Sequence, residues 1–517
     1  GVDGAVAVPQ HGVVSAVQKP TVWVLGDQLT RHHGALRGRS PDEVRVLMVE
    51  SDTLVGSARW HRQRLHLVLS AMAHFAAELR AEGFEVDHRR AATLRAGLDA
   101  HRAEFGPSSV IAMESTSWTA RERLPGWGVE LVPDDRFLCH PTEFARWAQG
   151  RKRLTMEDFY RWQRLRLGVL VDDDGTGPQP LGGRWNYDHD NREPPPRDGR
   201  AWPSITRFEL DDIDRSVLDR MPDHAVGAGP DGTWPVTRAQ ALVRLHDFVT
   251  HALPHFGPHE DAMLAREWKL AHSVLASSMN IGLLDPREVV DAAVAEFHAG
   301  RAPIASVEGF VRQVIGWREY VWGVYWLWMP EYAGLNRLGA HRPVPPAFTG
   351  DAPTDMACVR NVTGHLHDHG YTHHIERLMV LGNLALTAGV DPWAMSEWMR
   401  TTFVDGAEWV MLPNVIGMAL HADGGRMATK PYASGGGYLK KMSDSCKGCR
   451  FDPGVRVGER ACPFTTLYWD FLARNEATFA KNHRLAQPLA GMRRLADLPA
   501  VRERAVEVLA RLDAGTL

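Results

Sequence analysis

The chain has no stretch approaching the roughly 18 consecutive apolar residues that a membrane-spanning helix needs, so no membrane association is expected. It also lacks an excess of charge of either sign. Its 59 Lys and Arg stand against 63 Asp and Glu, a net charge of −4, so a nucleic-acid surface must be a local patch. Cysteine is scarce and odd in number: five residues, spaced like ligands and unlike a disulfide framework. With no signal peptide visible, that usage points to a reducing cytoplasm. A Gly-x-Gly-x-x-Gly fingerprint is missing as well, which argues against a dinucleotide on a strand–turn–helix unit.

What is abundant is tryptophan, with 18 residues. Electron transfer, base stacking and pigment binding are uses for such a surplus, beside plain packing of a helical core. A length of 517 residues exceeds one compact core, so two or more domains are expected. Short apolar runs at 21–25, 44–49, 109–113 and 129–132 predict strands. Leu65, Leu69, Met72, Phe75, Ala76 and Leu79 recur at helical spacing between the second and third run. That alternation predicts an α/β domain over 21–150, with a parallel, Rossmann-like sheet and a ligand crevice beyond the carboxyl ends of its strands. Gly26, Asp27, Gln28, Leu29 and Glu50 fall at such ends. Residues 1–20 are expected to be a flexible tail.

Residues 151–226 read as a connector, Pro- and Gly-rich in its second half. The string from Trp185 to Arg192 (WNYDHDNR) is too specific to be mere spacer. Within it Asp188 and Asp190 are candidate Mg²⁺ ligands, weighed against solvated loop carboxylates. Residues 227–517 read as a large all-α domain, with helices over 239–253, 260–270, 286–299, 306–328, 372–388, 392–403 and 467–481. Four cysteines bracket its polar, aromatic middle: Cys358, the Cys446-x-x-Cys449 pair, and Cys462 before Pro463. Four thiolates suit a tetrahedral zinc or a [4Fe–4S] cluster equally well. Cys139 has no partner in the pattern and reads as a small buried hydrophobe.

In the 306–328 helix, spacing alone makes Glu308, Arg312 and Glu319 a solvent-facing ion-pair stripe. However, Glu308-Gly-Phe-Val-Arg312-Gln313 followed by Trp317-Arg318-Glu319-Tyr320 resembles the Glu-x-Phe-x-Arg-Gln … Trp-Arg-Glu-Phe helix of the photolyase/cryptochrome family. The Ser-rich segment Ser273–Leu283 is similar to that family's flavin-phosphate segment. The stretch from Phe403 through Asp405, Gly406, Glu408 and Trp409 to Pro413-Asn414 is similar to its acidic-then-asparagine stretch beside the flavin ring. The cysteine tetrad, the His373-His374 pair and the Leu-Gly-Asp-Gln-Leu opening resemble one subgroup, the iron–sulfur bacterial cryptochromes and photolyases, also called prokaryotic (6-4) photolyases.

The resemblance implies an FAD held by Ser273, Ser277, Ser278, Asn280, Gly282, Glu308, Arg312, Arg318, Asp405, Glu408 and Asn414, with Trp398 the nearest tryptophan. It implies a [4Fe–4S] cluster on Cys358, Cys446, Cys449 and Cys462. A 6,7-dimethyl-8-ribityllumazine antenna is implied at Gly26, Asp27, Gln28, Leu29 and Glu50. The implied activity is light-driven reversal of (6-4) photoproducts in UV-damaged DNA by a monomer. Moving a hydroxyl group back between the bases needs a proton donor, for which His374 is the candidate, with His373 its neighbour and Tyr432 set against the lesion. Lys430, Lys440, Lys441 and Arg450 are the candidate DNA contacts. The rivals are a blue-light receptor of the same fold and a cluster-bearing nucleic-acid-binding protein related to primase large subunits.

Overall fold

The computed structural model describes residues 18–517, so most of the expected tail lies outside the described residues. Five parallel strands, β1 (Thr21–Trp23), β2 (Arg45–Ser51), β3 (Val86–Ala91), β4 (Val110–Met113) and β5 (Val129–Val132), form one sheet in the order β3-β2-β1-β4-β5. Val22 is in register with Val46 on one side and Ile111 on the other. Near-continuous apolar runs form β1 and β2 because both faces are covered. Val22, Val46 and Met48 pack with Leu67, Met72 and Phe75 of helix α1 (Arg62–Ala81). Trp23, Leu47 and Val49 pack on the opposite face with Leu98 of α2 (Leu94–Phe105) and Leu124 of α3 (Trp118–Gly126). The core on the α1 side continues into the helical region through Tyr160, Phe248, Phe310 and Ile315.

β3 has no counterpart among the expected strands. Its sequence is mostly charged, as befits an edge strand whose exposed ladder must not pair with another chain. The charges are answered locally: Asp87 lies 2.6 Å from both His101 and Arg89.

Beyond the connector the chain is helical, as expected, with one correction. Residues 260–270 form turns and not a helix, and Leu270 takes a left-handed φ of 45°. Four helices contain π-helical segments that no periodicity announces: Phe248–Ala252, Arg312–Arg318, Glu376–Gly382 and Pro413–Ala419. Among the described residues no helix is long and apolar enough to cross a membrane.

The start of α1 ties the sheet, the connector and the helical region together. His61 Nε2 lies 3.0 Å from His367 O, and the His61 N–H donates to Thr401 O at 3.1 Å. The Arg62 N–H donates to Val226 O at 2.8 Å, and the Gln63 amide to Asp368 O at 2.6 Å. Burial pushes the His61 imidazole down to about 4. The folded chain thus prefers neutral His61, whereas the unfolded one titrates near about 6.5. Stability from this clamp is full above that value and is lost as pH falls toward 4, an order of about 3 kcal/mol. Thermal melting between pH 7.5 and 4.5 should show the loss, and an H61N variant should show a shallower slope. Identical slopes would exclude His61 as the titrating clamp.

Candidate functional site

A cavity of about 320 Å³ opens in the helical region, within the usual range of ligand pockets. Ser273 to Ala276 form one wall; Val274 has a left-handed φ of 50°, a strained position for a β-branched residue. Phe310 and Gln313 come from the Ile304–Val311 helix and the π-helical turn that continues it. Arg377, Leu378, Asn414, Val415 and Met418 also line the cavity from π-helical segments. A π turn carries an extra residue and so re-aims side chains relative to an α-helix. Three such turns therefore build these walls.

Of the residues expected around FAD, Ser273, Asp405 and Asn414 line this cavity. Ser277 and Ser278 are buried in the short helix Ala276–Asn280 that follows, and both hydroxyls lack a hydrogen-bond partner. Buried polar groups are rarely left so; the helix that carries them starts at Ala276, on the cavity wall. Asp405 is held by two 3.0 Å bonds from Arg377. The Asn414 amide donates to Val410 O at 2.9 Å.

The other candidates do different work. Asn280 donates to Asp405 O at 2.9 Å, and Glu408 accepts from Tyr325 OH at 2.6 Å. Gly282 has φ +93°; a Cβ there would lie 3.0 Å from Leu29 N, so the glycine admits the Gln28–Leu29 turn. Glu308, Arg312 and Glu319 are buried, which corrects the solvent-facing stripe that spacing suggested. Glu308 accepts from Tyr160 OH (3.0 Å) and from the Tyr187 N–H (2.9 Å), and Arg312 lies 3.3 Å from Asp188. They seat the connector string on the pocket helix. Trp398 stacks on Phe348 with ring centres 5.5 Å apart, while its neighbour Met399 lines the cavity.

Arg318 is buried over Phe137 (4.4 Å) and Trp409 (5.3 Å), 3.3 Å from Glu319. Burial pushes Glu319 up to about 7, although the Leu138 and Cys139 N–H groups donate to it at 3.0 and 3.1 Å. Arg318→Ala removes the buried partner of that carboxylate and should destabilise the chain by about 3–5 kcal/mol. Denaturant unfolding measures the loss; a loss of bound flavin without a loss of stability would make Arg318 a cofactor contact instead.

Two histidines, His272 and His374, line the cavity, and a third, His373, stacks behind them. His374 lines the cavity mouth with a half-exposed ring, and its Nε2 lies 2.9 Å from Asp261 Oδ1. His373 is fully buried, and its ring stacks on His272 at 4.7 Å. Burial pushes both His272 and His373 well below the usual imidazole range. His365 contacts Glu376 at 3.2 Å, away from the mouth. Glu260, whose Oε2 is unpartnered, lines the cavity as well, and burial raises its carboxyl well above the usual range. Glu260, His272 and Arg377 had no signal in the sequence. The first two fall in or just beyond the stretch expected to be helical, and Arg377 sits in a π turn.

Tyr432 is partly buried against the hydrophobic cluster that includes Ile375 and Met379, and burial raises its phenol above the usual range. Lys430, Lys440 and Lys441 are exposed, the latter two in the last turn of helix Gly436–Met442. Arg450 is ion-paired with Asp355 at 2.6 Å. Asp188 is bound by Arg192 and Arg312, and Asp190 lies 2.5 Å from Arg184. Both carboxylates of the candidate Mg²⁺ pair thus carry arginine partners.

Cys358 sits in helix Ala357–His369, Cys462 caps helix Pro463–Arg474, and Cys446 and Cys449 lie in the intervening turns. All four are free thiols packed at one hydrophobic cluster. Burial, and then the other three cysteines, hold the Cys358 thiol far above its usual range; burial pushes Cys446 up to about 11. Four thiolates could persist here only against a compensating cationic centre. Among the described residues, the metal-ligating groups within 4.8 Å of one another are His272–His373–His374 and His74–Asp211–Asp214, and the cysteines are not such a group. Four thiols at one cluster suit either a tetrahedral zinc or a multi-iron cluster. Cys139 is buried apart from them, as expected.

A second cavity, about 310 Å³, lies where Gly26 and Asp27 at the end of β1 face Asn280, Asp405 and Glu408. Asp405 lines both cavities. The other strand-end candidates are occupied elsewhere: the Gln28 amide donates to Glu114 O (2.9 Å), the Leu29 N–H to Ile281 O (2.8 Å), and Glu50 accepts two bonds from Arg220 (2.5 and 2.9 Å).

A family model described as deoxyribodipyrimidine photo-lyase-related protein matches residues 22–228. Over 492 residues the chain is 41% identical to a protein of Agrobacterium fabrum named (6-4) photolyase, covering 92% of this chain and 96% of that protein. An uncharacterized protein of Acanthamoeba polyphaga mimivirus is 33% identical over 101 residues, 20% of this chain and 75% of that protein. The crystal structure of a bacterial class III photolyase from Agrobacterium tumefaciens superposes with a TM-score of 0.53 at 16% identity, covering 97% of this chain and 100% of that one. That superposition supports the two-part fold alone.

Proposed function

The chain belongs to the photolyase/cryptochrome family, and from that premise we propose that it is a light-dependent DNA-repair enzyme acting on (6-4) pyrimidine–pyrimidone photoproducts. The observation that carries the reading is His374 at the mouth of the cavity, half exposed and 2.9 Å from Asp261. A lesion flipped out of DNA would enter by that mouth.

FAD, when bound, supplies the light-driven electron. The chain does the rest. Ser273, Ser277 and Ser278 would hold the pyrophosphate end, and the Arg377–Asp405 pair and Asn414 would wall the ring end. Asp261 orients the His374 imidazole, which delivers a proton to the lesion and takes it back as the hydroxyl group returns. Tyr432 closes the lesion side by hydrogen bonding or stacking. Lys430, Lys440 and Lys441 supply phosphate contacts, and Arg450 does so only by giving up Asp355. The four cysteines would hold a [4Fe–4S] cluster as a structural staple. A lumazine antenna would sit in the second cavity at Gly26 and Asp27, sharing the Asp405 wall with the flavin.

The test is illumination of the reduced protein with oligonucleotides that carry one (6-4) photoproduct or one cyclobutane dimer. Repair of the (6-4) substrate is expected. Repair of the cyclobutane substrate alone would overturn the lesion assignment, and a purified chain without flavin absorption would overturn the reading altogether.

A further inference from the structure

We infer that His272, His373 and His374 form a site for one imidazole-seeking transition-metal ion of the Zn²⁺ or Cu²⁺ class, and that its occupation silences His374. One ring nitrogen of each residue lies within 4.8 Å of those of the other two. The rings of His272 and His373 stack at 4.7 Å, and His272 meets His374 edge to face at 5.3 Å. His373 is 0% exposed and His272 8%, yet both ring nitrogens of His373 and the Nε2 of His272 have no hydrogen-bond partner. Buried imidazoles are normally satisfied. The nearest acidic group, Glu376 Oε1, stands 3.7 Å from His373 Nε2, beyond hydrogen-bond reach, so the two adjacent rings leave nitrogen lone pairs unused in the interior, which is the state that a metal ion completes.

The chemistry selects the ion. Three neutral imidazoles suit zinc, copper or nickel and offer little to magnesium, which prefers oxygen. Three protein ligands leave a fourth position free, and the Asp261 carboxylate stands beside His374 to orient or join the set. His374 is half exposed and opens the route by which an ion enters. An ion bound to its ring holds the lone pair that proton transfer requires. That consequence rests on the role proposed above for His374; the site itself does not.

The experiment uses the flavin- and cluster-loaded chain in the dark, with Cu²⁺ as the probe read by electron paramagnetic resonance. One equivalent is expected to bind with nitrogen hyperfine structure. This signal should vanish in His272→Ala and in His374→Ala and persist in His189→Ala, whose imidazole is fully in solvent. Unchanged flavin absorbance in each variant shows that it is folded. In the repair assay one equivalent of Zn²⁺ should slow turnover by roughly a hundredfold, the scale of general acid catalysis, with recovery on adding EDTA. The residual rate of His272→Ala should be the same with and without Zn²⁺. Equal copper signals in all the variants would overturn the site. Copper binding that depends on His272 and His374 without zinc inhibition would overturn the silencing. A His374→Ala enzyme that repairs normally in metal-free buffer would sink the catalytic reading and leave the copper result standing.

Discussion

His374→Ala lowers (6-4) repair by between about a hundredfold and ten-thousandfold, the contribution of a positioned general acid, while flavin content per chain and melting temperature stay those of the parent. The separation follows from where the ring stands. His374 is half exposed, and its ring makes one hydrogen bond, to Asp261. Truncating it opens no cavity in the core. His373 is the contrast: fully buried and stacked on His272, it leaves a void when truncated, so His373→Ala is expected to lower stability before it lowers chemistry. Asp261→Asn keeps the size of the orienting group and weakens its hold on the imidazole. It should reduce turnover less than His374→Ala and leave flavin absorbance alone. Single-turnover repair of an oligonucleotide bearing one (6-4) lesion, with flavin absorbance read on the same sample, separates these cases. Parallel loss of flavin and repair in His374→Ala would make the residue structural.

The readable parts of this chain are those where one physical force acts alone. β1, β2 and β4 sit inside a doubly covered sheet, so their apolar runs stand out; β5, at the other edge, keeps Val129 buried in the same core and three apolar residues in four. β3 pairs at the edge and carries charges that keep the edge unpartnered, which removes the hydrophobic signal. Helix Pro286–His298 begins at Asp285, whose side chain accepts from the Arg287 N–H, and at a proline; its start was legible to the residue. The stretch 260–270 was not, because its apolar residues meet the core from turns and not from one helical face. In the cavity, residues that the family resemblance named by motif, such as Asp405 and Asn414, do reach the wall. Glu308 and Arg312 belong to the same motifs but are spent on Tyr160, Tyr187 and Asp188. The partners that take them lie more than a hundred residues away, beyond the reach of any local pattern. Gln313, Arg377 and Leu378 point into the cavity from π turns, whose register a 3.6-residue period cannot report.

The largest structural effect is expected at Cys358. Cys358→Ser removes one of the four thiols from the proposed centre, which would join helix Ala357–His369 to the start of helix Pro463–Arg474 and to the turns over 443–462. The bonds that hold that segment otherwise are turn bonds within it, such as the Asp452 N–H to Arg460 O at 2.8 Å, and a few ties outward, such as Arg450 to Asp355 (2.6 Å) and Arg456 to Asp497 (2.8 Å). A structural metal centre contributes on the order of 10 kcal/mol or more, as much as a whole domain's net stability. Losing it should therefore cost the fold of the C-terminal part and not merely loosen it. Iron per chain should drop to near zero, the protein should become insoluble or lose its cooperative unfolding transition, and repair should vanish with it. Cys139→Ala supplies the control. That thiol lies in a separate cluster with Phe144 and Tyr320, so its loss should leave iron content unchanged and cost only what a small buried side chain costs. Full iron in Cys358→Ser, or iron lost in Cys139→Ala, would refute the ligand assignment. A soluble, active, iron-free Cys358→Ser chain would show that the helices hold their register without the centre.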